Sequence, residues 1–208
     1  MVREDVRRPD AGAGEGLAGD RVGCAHADPG ADRLWFTEND EANRLLAEDP
    51  FALIVGFALD QQITVQQAFQ GPLRIKQRVG TLDPKELART DLEPAFREKP
   101  AVHRFPGTMA GRVQELAEAI ASEYGGDASR IWTEAKDGAH LQKRLAALPG
   151  FGDMKVRSMT AVLAKRFGVD VAREVAPSHP TLGDVDSAQA LTDYQAAKRE
   201  YKRSKSAR

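Results

Sequence analysis

The segment that most restricts this chain is Leu148-Pro149-Gly150-Phe151-Gly152, set between two stretches of helical periodicity. Before it, Leu141, Leu145 and Leu148 recur on one helical face; after it, Met154, Met159, Val162 and Leu163 form a second apolar run. Gly150 and Gly152 permit a compact turn between the helices. Phe151 can bury in the core between them while the backbone faces outward. The amides of Gly152, Asp153 and Met154 then open a new helix without intrahelical partners, a setting that attracts anions. The spacing therefore points to phosphate, held by backbone without reading base sequence. Asp153 suits the helix dipole but repels phosphate unless it caps or turns sideways. Lys155, in the first turn of the second helix, is open to three readings: a phosphate contact, a solvated cation, or a Schiff-base nucleophile.

The rest of the chain also reads as helix. Asn39 or Asp40 caps a helix reaching Leu45-Leu46, and Pro50 opens another through Leu53, Ile54, Phe57, Ala58 and Leu59. That run is too dense in apolar residues for a surface helix and belongs across the core. After the polar break at Asp60-Gln61-Gln62, Thr64 caps a third helix carrying Val65, Ala68 and Phe69. Pro84 and Asp91 start two short helices, and residues 99–108 form a loop turned by Phe105-Pro106-Gly107. A helix with Met109, Val113, Leu116, Ala117 and Ile120 on one face follows, stopped by Gly125-Gly126. The last helix is expected from Ala188 to about Lys202. No segment alternates long enough to demand a sheet, so the expected class is all-α. Residues 1–32 read as a glycine-rich flexible leader, 33–198 as one helical domain and 199–208 as a basic C-terminal tail.

Charge is distributed unevenly. The net charge is -1, yet residues 1–50 hold six basic and twelve acidic side chains, which leaves the remainder positive. Cys24 is the only cysteine, which excludes an intramolecular disulfide, a four-cysteine zinc site and a cysteine-ligated iron–sulfur cluster. His103, His140 and His179 share no metal-ligand spacing, so neither a metal nor a cofactor is expected. No apolar segment follows the basic residues near the start, and no stretch approaches the length of a membrane span. A cytoplasmic, nucleoid-associated monomer is the expectation.

With Leu148–Gly152, the segment Leu59-Asp60-Gln61-Gln62-Ile63-Thr64 and the region His103–Leu116, the chain resembles the helix-hairpin-helix (HhH-GPD) DNA glycosylases. The similarity covers roughly residues 45–170. It is greatest to an actinobacterial group with Asp-Gln-Gln-Ile, His-Arg-Phe-Pro-Gly and Pro-Gly-Phe-Gly segments and no iron–sulfur cluster. The resemblance implies a compact helical fold that clamps double-stranded DNA in a cleft and flips a damaged nucleotide into a pocket, for base excision repair. It places Gln61 near the flipped-out site, where its amide would fill the vacated stack; capping of an apolar helix is the alternative. Arg104 would meet phosphate, and Phe105 would either wedge the opened base pair or anchor its loop in the core.

Bifunctional members carry a lysine two residues beyond the second hairpin glycine. Here Met154 stands there, and Lys155 follows about 100° around the helix, so the resemblance implies a monofunctional glycosylase that hydrolyses the N-glycosidic bond. The family's aspartate follows the second hairpin helix and stabilises the developing sugar cation. Asp170, in Val169-Asp170, takes that place first, and Asp184, in Gly183-Asp184-Val185-Asp186, second; helix or turn capping is the alternative for both. A non-catalytic DNA-binding protein of the same fold is the competing function.

Overall fold

The computed structural model describes residues 31–206, so the expected leader lies almost wholly outside the described residues. The described residues form eleven α-helices and no strand. The all-α expectation therefore holds.

Helix α1 (Asp40–Glu48) begins where the Asn39 side chain accepts the Ala42 amide, and helix α2 (Pro50–Leu59) where the Asp49 carboxylate accepts those of Phe51 and Ala52. Every residue of α2 from Phe51 to Leu59 is buried, so this helix runs through the core. Helix α3 (Val65–Val79), capped by Thr64, lies against it. Gly56 on α2 and Gly71 on α3 permit the close approach, because a Cβ at either would overlap Phe69 or Leu59. Phe69 meets Phe36 and Phe57 edge-on, with ring centroids 4.8 and 5.0 Å away.

Two short helices, α4 (Pro84–Leu87) and α5 (Glu93–Arg97), pack on the long α6 (Pro106–Glu123). Two details differ from the sequence reading. Asp91 lies before α5, where its carboxylate accepts the Glu93 amide at 3.0 Å. Pro106 and Gly107 belong to α6, since proline's fixed φ suits a first helical turn.

Helix α7 (Arg130–Thr133) leads to α8 (Gly138–Ala146), and α9 (Asp153–Arg166) follows across the hairpin. The short α10 (Asp170–Arg173) packs on α8 and α9, and a 3-10 turn at Leu182–Asp184 packs on α9. The last helix, α11 (Ala188–Ser206), continues through position 199 without a break, so the expected tail is helical as far as Ser206. Among the described residues no helix is long and apolar enough to cross a membrane.

Candidate nucleic-acid interface

The turn between α8 and α9 is built on one left-handed residue. Gly150 has φ +81, which L side chains rarely adopt, and a Cβ there would collide with the Arg112 side chain. The Phe151 amide donates to the Leu148 carbonyl at 3.1 Å, and the Phe151 ring is buried at 7% exposure. The backbone then faces outward, as the sequence suggests. Gly152 differs from Gly150. Its φ is -94, and a Cβ built on it meets nothing within 4 Å. The fold itself therefore does not require glycine at this position. Gly152 is the N-cap of α9 and supplies no side-chain cap to the amides that open this helix.

Gln61, Arg112 and residues Gly150–Lys155 line an open depression of about 560 Å³. The hairpin residues named from sequence thus share one surface with Gln61. Arg112 was missed because α6 shows an apolar stripe and no motif. Its contact with Gly150 depends on tertiary packing alone, and none of the ion pairs among the described residues involves it. Lys155 reaches inward, its Nζ donating to the Ala58 carbonyl at 2.7 Å near the end of α2. There it satisfies a carbonyl of the helix's last turn. Burial lowers its pKa to about 8; the Asp60 charge opposes the shift and Arg112 adds to it.

His103 ties the second part of the surface together. It is fully buried. The Phe105 amide donates to Nδ1 at 3.1 Å, so Nε2 carries the proton and donates to the Gln61 carbonyl at 3.0 Å. Burial holds its pKa below the ordinary histidine value, against the backbone bonds at Gln61 and Leu59. One ring therefore fixes both the turn that presents Gln61, where Gln62 takes a left-handed φ of 58, and the loop that presents Phe105. Phe105 is 40% exposed rather than a core anchor, and the Arg104 guanidinium lies over its ring at 4.8 Å. Met154 is 70% exposed on the hairpin.

The two aspartates inferred from the family pattern lie elsewhere. Asp170 opens α10, beyond the far end of α9, and its carboxylate is 90% exposed and paired with Arg173 at 2.8 Å. Fourteen helical residues separate the ends of α9, a rise of about 20 Å. Asp184 accepts from Lys165 at 2.7 and 2.9 Å and from the Thr181 amide at 2.8 Å, completing a capping box. Burial opposes its ionisation, but Lys165 and the Thr181 donors outweigh this and hold its pKa below the usual carboxylate value. Neither lines the depression. The acid whose charge acts on Lys155 is Asp60, which also adds, after burial, to the raised pKa of Tyr194 on α11. The sequence reading took Asp60 as part of a polar helix break and of the Asp-Gln-Gln-Ile segment, without a role of its own.

No protein-family model matches this chain, and neither a curated protein nor a solved structure matches it.

Proposed function

We propose that this chain binds double-stranded DNA through the α8–α9 hairpin and acts on it as a monofunctional DNA glycosylase of the helix-hairpin-helix kind. The observation that carries the proposal is Gly152. It is a glycine without a conformational or packing reason, beside uncapped helix amides and next to the cations Arg112 and Lys155. A phosphate oxygen fits that combination, since the amides and dipole favour an anion and the missing Cβ leaves room for it. Gln61 and Phe105, held by one histidine, would fill or wedge the gap left by a flipped nucleotide.

In this reading Lys155 is a cation braced on α2, with no Schiff-base role. Asp60 replaces Asp170 and Asp184 as the carboxylate facing the developing sugar cation, because its charge acts on Lys155 at the depression whereas theirs lie toward the other end of α9. The decisive assay is base release from alkylated and oxidised duplexes. Wild type and Asp170→Asn should release base equally, and Asp60→Asn should release none. Equal release by Asp60→Asn would remove Asp60 from the mechanism.

The remote positions of Asp170 and Asp184 favour a second reading, a non-catalytic duplex binder of the same fold. Duplex binding by wild type without release of any base would select it.

A further inference from the structure

Helix α11 is fastened to the body at two levels. At its start, the preceding 3-10 turn lies on the C-terminal half of α9: Gly183 has the Ala161 backbone against its Cα, and Asp184 holds Lys165. Two turns later, Gln195 exchanges amide hydrogen bonds with Gln66 at 2.8 and 3.3 Å, in the first turn of α3, and Tyr194 lies in the field of Asp60. Asp60 in turn acts on Lys155 at the N-terminal end of α9. The helix therefore runs from the C-terminal half of α9 to the start of α3, beside the turn that presents Gln61 to the hairpin depression. About eleven residues remain beyond Gln195, a further reach of roughly 16 Å.

The docking stripe changes character where the helix passes the body. Leu191, Tyr194 and Gln195 are its inward residues. By helical periodicity the same stripe continues to Lys198. Arg199 and Arg203 lie beside it, and Glu200 is the one acid in this stretch. Lys198, Arg199 and Arg203 are exposed. Lys198 rests over the Tyr194 ring at 5.7 Å, and none of the ion pairs among the described residues involves these three cations. A face that buries apolar surface upstream and presents uncompensated positive charge downstream is complementary to a polyanion lying along the hairpin edge.

We infer that the C-terminal third of α11 is a second phosphate-contacting arm, which grips the backbone of the same duplex that the hairpin holds. This rests on the duplex-binding reading above. The two elements divide the work by chemistry. The hairpin amides hold phosphate without neutralising it, whereas each lysine or arginine contact releases counterions and steepens the salt dependence.

The test is binding of a fluorescein-labelled undamaged duplex of about 20 base pairs by the full chain from roughly 0.05 to 0.3 M salt. It compares wild type, the triple variant Lys198→Gln/Arg199→Gln/Arg203→Gln and Gly152→Ala, each first checked for unchanged helicity. The triple variant should lower the log–log salt slope by about 2 to 3, near 0.9 per lost contact. Gly152→Ala should weaken binding with its slope unchanged. Binding by wild type and triple variant with equal slopes would overturn the arm while leaving the hairpin reading intact. Failure of wild type to bind duplex at any salt would overturn both. Equal duplex slopes, with loss of binding to vesicles containing phosphatidylglycerol, would assign the basic helix to a membrane surface instead.

Discussion

The two ends of α9 face different tasks with similar residues. At the C-terminal end Lys165 pairs with Asp184, Arg173 with Asp170, and Asp184 again accepts from the Thr181 amide and hydroxyl, while the buried Nε of Arg166 has no partner among the described residues. At the N-terminal end the helix has no side-chain cap, Arg112 leans over Gly150 and enters none of the ion pairs among the described residues, and burial lowers the pKa of Lys155. The matched end closes a structure. The unmatched end keeps donors and positive charge available to something outside the chain, and the proposed site is placed there for that reason. A carboxylate spent on capping and pairing is a poor candidate for chemistry even when a sequence pattern points to it.

Gly150→Ala should have the largest effect on the unmatched end. It forces an L residue to φ +81 and drives a methyl group into Arg112, and is expected to cost about 2 kcal/mol of stability. Chemical denaturation measures this, and an unchanged midpoint would mean that the turn relaxes. Asp184→Ala strikes the matched end. Losing the capping box and the Lys165 partner should cost about 1 kcal/mol while duplex affinity stays at the wild-type value. A fall in affinity without unfolding would show that the two ends are not separate in function.

Two pH effects follow, both smaller. His103 titrates below the ordinary histidine value when folded and near about 6.5 when unfolded. As pH falls below about 6.5 the unfolded chain therefore binds a proton that the folded chain refuses, and stability drops. Protonation also ends the acceptance of the Phe105 amide at Nδ1. The difference between wild-type and His103→Gln stability profiles from pH 7 to pH 5 should reveal this contribution, and parallel profiles would refute it.

For Lys155 the folded pKa is about 8, below the ordinary lysine value of 10.5. Between those values the unfolded chain holds a proton that the folded chain has released, so this contribution to stability rises with pH. Duplex affinity should change in the opposite direction, falling as pH rises through about 8 and the cation is lost. Lys155→Arg keeps its charge and should show a flatter affinity profile. Identical profiles would remove Lys155 from the phosphate contact.

Much of this fold was legible from local rules. Asn39 and Thr64 act as N-caps, and Pro50 and Pro84 stand in first turns. The hairpin was legible because Gly150, Phe151 and Gly152 need only their neighbours to make the turn. Arg112 was not, since it reaches the depression from α6 through tertiary packing alone, and Asp60 stands out only through its effect on Lys155. Asp170 and Asp184 show the converse. Each follows the second hairpin helix, as the family's aspartate does, without the family's full pattern; the rise of α9 separates Asp170 from the site, and Lys165 holds Asp184 toward the other end. The length of α11 was underestimated because its last turns are polar and basic, which reads as a tail unless the docking stripe is followed through Leu191, Tyr194 and Lys198.

The central claim is that the hairpin holds DNA, and Gly152→Ala tests it most directly. A methyl group built there meets no atom within 4 Å, and because glycine is a better N-cap than alanine the change should cost about 0.5 to 1 kcal/mol. Melting temperature and helicity should thus remain near wild type. Duplex affinity, measured by fluorescence anisotropy at about 0.15 M salt, should fall severalfold because the new methyl occupies the space between phosphate and the α9 amides. A folded Gly152→Ala protein that binds duplex as tightly as wild type would contradict the account and reduce the hairpin to a structural turn.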